Sequence, residues 1–301
     1  MSKAIVKLAI VVTAIATLAS AFVFAADTPD KAQPSTDWSG FYVGAGGSFN
    51  WTRFDQALQG ISGIQNITIG PNLVAQGQEG GPYFDFNRNE SGFAPGVQLG
   101  YILPFGGGEW QAGLNWTYKY VNIESKENVS IPQEGTLTTV IGPPMTIPIT
   151  GFVQISPAEI NLKHQFALIA TIGRAFNKFR IYAGGGPTLF GVETNFKNGI
   201  PFAIIGSQTL MAGEPVSGSN DNWVWGGAAQ VGVSYAVASR WFLDFAYTYA
   251  RSGSFKIQNS VNLTSPTRGP DLMSSGSAVL NTHERVTNQS VMLTVNRLFD
   301  F

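Results

Sequence analysis

Hydrophobic and polar residues alternate along much of the chain. From residue 110 to residue 120 the even positions carry Trp, Ala, Leu, Trp, Tyr and Tyr, and the odd ones carry Gln, Gly, Asn, Thr and Lys. This period of two predicts a β-strand with one apolar face and one polar or small face. Seven other segments show the same alternation. The eight predicted strands are 39–51, 93–103, 110–120, 159–173, 179–191, 223–235, 241–249 and 289–301.

The connections between these strands are alternately long and short. The short ones are 104–109, 174–178 and 236–240, and the long ones are 52–92, 121–158, 192–222 and 250–288. Long loops at one end and tight turns at the other are typical of an up-and-down membrane barrel. The fold class predicted is therefore all-β: an eight-stranded antiparallel up-and-down transmembrane β-barrel with four long extracellular loops and short periplasmic turns.

The N-terminus has the pattern of a secretory signal peptide. Lys3 and Lys7 precede the apolar stretch 8–25, and the polar residues that follow begin at Asp27. We expect cleavage after Ala25, which gives a signal peptide over 1–25, a short periplasmic tail over 26–37 and a barrel over 38–301. The alternative is a permanent membrane helix. Past residue 25 the chain offers no uninterrupted apolar run of the roughly 18 residues that a membrane helix needs.

Composition removes several classes of function. Only 12% of the 301 residues are charged and the formal net charge is −1, so the basic surface of a nucleic-acid-binding protein is missing. The chain has no Cys, which excludes disulfides, thiolate metal sites and a Cys nucleophile. Its two His residues, His164 and His283, are far apart in sequence. We expect no metal site and no cofactor.

Two segments resemble a known family. Residues 38–47, WSGFYVGAGG, resemble the opening strand of small outer-membrane barrels of Gram-negative bacteria, the porin-family surface antigens related to the OmpA transmembrane barrel. Phe299 and Phe301 are similar to the terminal aromatic signal that such barrels present to the assembly machinery. The resemblance implies the bacterial outer membrane as location. It also implies membrane lipid, lipopolysaccharide and the barrel-assembly machinery as partners.

Strand parity predicts which side chains face the lumen. An eight-stranded barrel is nearly filled by its side chains, so a wide pore is not expected. The charged residues assigned inward form either a narrow constriction for small ions or, as we expect, an internal network that plugs the lumen. The residues predicted to face the lumen are Lys119, Glu159, Lys163, Arg180, Asp244, Gln98, Gln111, Gln165 and Gln230.

The sequence thus predicts an integral outer-membrane barrel with a structural or surface-exposed, antigen-like or adhesive role and at most a narrow pore. A host or surface ligand would bind through the loops. The alternative is a lipid-modifying barrel enzyme, which needs His beside Ser and an acid. Because His164 falls on the lipid face and His283 in the last long loop, we expect no enzyme. A third possibility, a secreted soluble β-protein, requires the apolar strand faces to pack on each other.

Overall fold

The computed structural model describes residues 38–81, 83–106, 109–205, 208–211, 215–266 and 272–299. The predicted signal peptide over 1–25, the tail over 26–37 and Phe301 lie outside these residues. Among the described residues no helix is long and apolar enough to cross a membrane. The strands are β1 Gly40–Ile69, β2 Asn72–Gly80, β3 Tyr83–Phe105, β4 Trp110–Thr139, β5 Thr146–Phe176, β6 Phe179–Ile205, β7 Gln208–Met211, β8 Val216–Ala238, β9 Trp241–Ser252, β10 Phe255–Pro266 and β11 Leu272–Phe299.

Eight of these strands form a closed antiparallel ring. The ring runs β1, β3, β4, β5, β6, β8, β9, β11 and returns to β1, and every step is an antiparallel pairing. β2 pairs with both β1 and β4, β7 pairs with β6, and β10 pairs with β11. All-β architecture with an antiparallel ring of eight strands therefore agrees with the sequence expectation.

The register of the ring fixes its dimensions. Stepping from Phe41 of β1 to the paired residue on each successive strand returns to β1 at Trp51, ten residues further along. With strands about 4.8 Å apart and a rise of about 3.3 Å per residue, this stagger gives a strand tilt of about 40° and a backbone radius of about 8 Å. Such a ring has room for side chains and little else.

The four long connections differ from the predicted loops. The strands continue through most of them, so that β1, β4 and β5 contain 30, 30 and 31 residues. Within 121–158 the described bend is confined to residues 140–145, and within 52–92 the first reversal occurs at residues 70–71. We call the part of the tube built by these continuations the extension. Backbone pairing satisfies its polar groups, which a long irregular loop does not do by itself.

Apolar side chains cover the outside of the lower part of the ring. We call this surface the belt. It is bordered near the short turns by Phe105, Trp110, Phe176, Tyr235, Trp241 and Phe299, and near the extension by Phe49, Phe93, Tyr120, Trp223, Trp225 and Tyr249, all exposed. The aliphatic residues exposed between these two aromatic borders are Val43, Val97, Leu99, Leu114, Leu168, Ile172, Ile181, Val231, Leu293 and Val295.

The polarity of the two faces reverses on passing from the belt to the extension. On β4, Leu114 and Tyr120 point outward within the belt, whereas Lys119 points inward. Further along the same strand the outward positions are polar and most inward ones are apolar, with Ser125 and Gln133 as the polar exceptions. The outward residues are Asn122, Glu124, Lys126 and Ser130, and the inward ones are Val121, Ile123, Val129 and Ile131.

β5 shows where sequence parity goes wrong. Its register shifts between Leu162 and His164, so that Lys163 is an extra residue relative to β6. Such a bulge exchanges the two faces of the residues beyond it, here as far as the second register shift between Ala158 and Ile155. Ile160 and Leu162, assigned outward from the sequence, are therefore buried inside at 1% and 0% exposure.

The barrel interior as candidate functional site

The lower end of the lumen is closed by an apolar cluster, which we call the floor. Tyr42 and Trp38 both meet Phe242 edge to face, with ring centroids 5.4 and 5.5 Å apart. Ile102, Ala236 and Leu298 complete the cluster, and all its members are almost fully buried. Edge-to-face aromatic packing at these distances is favourable.

Above the floor lies a charged pair held by hydroxyl groups. The Asp244 carboxylate accepts hydrogen bonds from Ser234 at 2.7 Å and from Tyr182 at 2.8 Å. Arg180 donates to Thr171 at 3.3 Å, and its guanidinium lies 4.7 Å from the centroid of the Tyr182 ring. Tyr182 thus joins the two charges, which compensate each other without direct contact.

Amide side chains fill the middle of the lumen, which we call the polar chamber. Gln98 donates to Asn296 at 2.6 Å, and Asn115 donates to Gln230 at 3.3 Å. Gln230 in turn donates to Thr248 at 3.1 Å. The first two bonds join strands that are not neighbours in the ring, so the chamber is a cross-braced network and not an open channel.

Two further bridges cross the lumen at the top of the chamber. Lys119 of β4 donates to Ser290 of β11 at 2.8 Å. Asn288 of β11 donates to Gln165 of β5 at 2.6 Å and also to Asn50 of β1 at 3.1 Å. Lys119 and Gln165 are direct cross-strand partners, while Asn288 and Ser290 are two residues apart on one face of β11. The two bridges therefore lie side by side.

A second apolar layer closes the upper end of the chamber, and we call it the septum. Its largest members, Phe54 and Phe190, have no exposed surface. The remaining buried members come from five strands of the ring: Val121, Ile123, Ile160, Leu162, Val192, Ala250 and Val286. The polar chamber is thus enclosed between two apolar layers.

Directly above the septum, Glu284 bridges the interior of the extension. Its two carboxylate oxygens accept hydrogen bonds from Gln56 of β1 at 2.9 Å and from Thr194 of β6 at 3.0 Å. Burial raises the pKa of the Glu284 carboxyl to about 7, although the two hydrogen bonds oppose this shift. Glu284 is the functional group that strand parity missed, because it falls within 250–288, which was interpreted as a loop.

The predicted lumen residues divide into two groups. Seven of them lie buried inside the ring: Lys119, Arg180, Asp244, Gln98, Gln111, Gln165 and Gln230. Lys163 and Glu159 do not, because both lie at or beyond the bulge in β5. The prediction that they face the lumen requires correction.

Lys163 and Glu159 instead take part in ion pairs on the outer face. The Lys163 side chain is 37% exposed and binds Glu193 at 2.6 Å. Glu159 lies opposite Lys126 on β4 and is covered by Lys126 at 3.3 Å and Lys197 at 3.2 Å. Burial alone would raise the pKa of Glu159, but these two ammonium groups hold it below its ordinary value.

The outer face also carries an aromatic group around His164. The imidazole lies parallel to the rings of Trp223 and Tyr118, with centroids 5.8 and 6.0 Å away, and its Nδ1 lies 3.0 Å from the Tyr118 hydroxyl. The sequence had placed His164 outward. No group of three His, Cys, Asp or Glu residues that could hold a metal ion occurs in the part of the chain that the structure describes.

The top of the extension holds an open cleft of about 570 Å³. It is lined by neutral groups from β1, β2, β4 and β11, including Ile64, Gln78, Thr136 and Ser277. Gly63 and Gly80 leave parts of its wall as bare backbone. Such a lining offers hydrogen bonds and small apolar contacts without charge.

No protein-family model and no curated protein sequence matches the chain. Several solved structures are similar to it. Ail, the attachment invasion locus protein of Yersinia pestis, is 12% identical over 80% of this chain and 98% of that one, with a TM-score of 0.25. Neisserial surface protein A is 13% identical over 79% and 96%, with a TM-score of 0.24. The outer membrane protease OmpT from Escherichia coli is 10% identical over 83% and 97%, with a TM-score of 0.28.

Proposed function

We propose that the chain is an integral outer-membrane barrel, closed to ions, whose extension stands in water as a structural or recognition surface. The reversal of polarity along single strands carries this proposal. A strand with apolar residues outside and polar ones inside is stable where hydrocarbon surrounds it. The opposite arrangement is stable where water surrounds it and the interior must be a core. The belt therefore spans the bilayer and the extension projects from it.

The belt also argues against a secreted soluble protein. That alternative requires apolar strand faces that pack on each other, whereas Leu114, Ile172 and Leu293 are each at least half exposed on the outside of the ring. Aromatic side chains border the belt at both levels, as interfacial rings do in membrane proteins. The closed ring leaves no unpaired edge in the belt, which hydrocarbon would not tolerate.

The interior favours a plug over a pore. The sequence suggested that charged residues fill the lumen, but the floor and the septum close it mainly with apolar side chains. Apolar constrictions of this kind exclude ions because hydrated ions would have to shed water there. The charge pair of Arg180 and Asp244 lies behind the floor and does not line an open path.

This orientation assigns the two ends of the barrel: the short turns face the periplasm and the extension faces outward. We further propose that Phe299 and Phe301 serve barrel assembly and that the signal peptide is cleaved after Ala25. Membrane lipid and lipopolysaccharide surround the belt, and a host or surface ligand would bind at the cleft on top of the extension. We also propose that the chain is not an enzyme; the contacts of His164 with Tyr118 and Trp223 support an interfacial role for this residue.

Conductance of the refolded chain in a planar bilayer tests the closed lumen. After heat-modifiable migration on a gel has confirmed folding, we expect no discrete current steps. The double variant Phe190→Ala with Phe242→Ala, which thins the septum and the floor together, should conduct. Reproducible steps from the unaltered protein would overturn the proposal that the barrel is closed.

A further inference from the structure

Lys119 has a buried amino group without a carboxylate partner. Its side chain is 3% exposed and donates to the neutral hydroxyl of Ser290. No carboxylate oxygen forms an ion pair with it among the described residues. A buried charge is costly unless an opposite charge or several hydrogen bonds compensate it. An ammonium group has three donors, and the protein satisfies one of them.

The other charges of the polar chamber do not supply the missing negative charge. Arg180 and Asp244 lie at the floor end and are joined through Tyr182. Glu90 lies beside the septum, where it accepts a hydrogen bond from Ser125 of β4. The buried ionisable side chains between floor and septum are Lys119, Arg180 and Asp244. When all three are ionised, one positive charge has no opposite charge to balance it.

A second donor without a partner lies next to Lys119. Gln165 is 1% exposed, and its Oε1 accepts from Asn288, but its Nε2 has no hydrogen-bond partner. Directly paired residues on one face of an antiparallel sheet have Cβ atoms about 5 Å apart. Lys119 and Gln165 are such a pair, and their side chains end at Ser290 and Asn288, two residues apart on one face of β11.

The side chain of Lys119 crosses the lumen over Gly96. A Cβ at Gly96 would lie 3.2 Å from Cγ of Lys119 and 2.8 Å from Cε of Met292. The lysine stem therefore passes over a position that has no side chain, and its end reaches β11 beneath the septum. Here the absence of a side chain serves a close approach.

We propose that a small monovalent anion of the halide type binds between Lys119 Nζ and Gln165 Nε2. Two N–H donors, the positive charge of the ionised lysine and the apolar septum above them favour an anion over water. The floor and the septum exclude larger anions and hold the ion inside. The site is independent of any ligand at the top of the extension, and it explains how the polar chamber balances its charge.

The direct test is anomalous X-ray scattering from crystals of the detergent-folded protein grown in sodium bromide. We expect one bromide peak at hydrogen-bond distance from Lys119 Nζ. A water network without bromide at this place would overturn the proposal. Bromide bound elsewhere on the surface, with none at Lys119, would overturn it as well.

A solution test uses the unfolding temperature in sodium chloride and in sodium gluconate at equal ionic strength. The unaltered protein should unfold at a higher temperature in chloride, with a saturable dependence. Gln165→Glu places a fixed carboxylate beside Lys119, keeps the acceptor for Asn288, and should remove the chloride effect without loss of folding. Lys178→Gln makes the same change in net charge as Gln165→Glu, but at a turn outside the chamber, and should keep the effect. Equal unfolding temperatures of the unaltered protein in the two salts would contradict the site.

Discussion

The belt and the extension are built from the same strands, yet their two faces are exchanged in polarity. On β4, Lys119 is buried with Leu114 exposed, whereas further along Ile131 is buried with Ser130 exposed. The alternation itself comes from strand geometry and is identical in both regions. Whether the outward or the inward residues are apolar depends on whether hydrocarbon or water surrounds the ring. The position at which the apolar face of one continuous strand changes from outside to inside therefore marks the edge of the bilayer.

The largest expected effect comes from the septum, an apolar layer inside the part of the tube that water surrounds. Phe190→Ala should lower the free energy of unfolding by about 3–5 kcal/mol, because a fully buried ring leaves a cavity. Urea unfolding of the refolded protein in lipid measures this. As a control, Leu168→Ala removes an apolar side chain from the belt, where lipid fills the space, so that only the transfer free energy of about 2 kcal/mol is lost and no cavity is left. Equal losses would mean that the two regions do not differ.

Glu284 sharpens the comparison because it is an acid inside the apolar interior of the extension. Its pKa is raised to about 7 in the folded state, above the ordinary value near 4.3, so the folded protein holds the proton more tightly. Stability is therefore highest below about pH 4, falls as the pH rises towards 7, and is level above it, with a total loss of about 3 kcal/mol.

The variant Glu284→Gln keeps hydrogen-bonding groups towards Gln56 and Thr194 but cannot ionise. Its free energy of unfolding should exceed that of the unaltered protein at pH 8 and match it at pH 4. Urea unfolding at the two pH values measures this. An equal difference at both would show that Glu284 does not titrate in the folded protein.

The outer faces of the belt and the extension can be compared by adding one positive charge to each. Leu293→Arg places a guanidinium in the middle of the belt and should lower the free energy of unfolding in a bilayer by about 2–4 kcal/mol. Ser130→Arg makes the same addition on the outside of the extension, where we expect a change within about 0.5 kcal/mol. Unfolding in lipid vesicles measures both. Similar values for the two variants would contradict different solvents on the two surfaces.

The smallest expected effect concerns the ion pair on the outer face of β5. Lys163→Gln removes the 2.6 Å contact with Glu193, but the lysine side chain is 37% exposed, and such pairs contribute less than about 1 kcal/mol. The loss should shrink further in 0.5 M salt. A large, salt-independent loss would instead place Lys163 inside the lumen, as sequence parity had it.

Much of the ring was predictable because apolar and polar residues alternate along the strands that form the belt. The strand over 110–120 and the short turns needed no tertiary information. The extension was missed because its pattern is reversed and interrupted: Val121, Ile123, Val129 and Ile131 stand on odd positions, but so do Ser125 and Glu127. A membrane barrel is expected to have polar residues inside, so this stretch was interpreted as a loop. The bulge at Lys163 could not be predicted, since it depends on the register with β6.

The most direct test of the boundary between belt and extension is the accessibility of spin labels on single-cysteine variants, which is clean because the chain has no Cys. In bilayers, labels at Leu114→Cys and Tyr118→Cys on β4 should be reached by oxygen and not by a water-soluble nickel reagent. Labels at Lys126→Cys and Ser130→Cys should show the reverse, with the change near Asn122. Uniform access of the nickel reagent along β4 would contradict a bilayer around the belt.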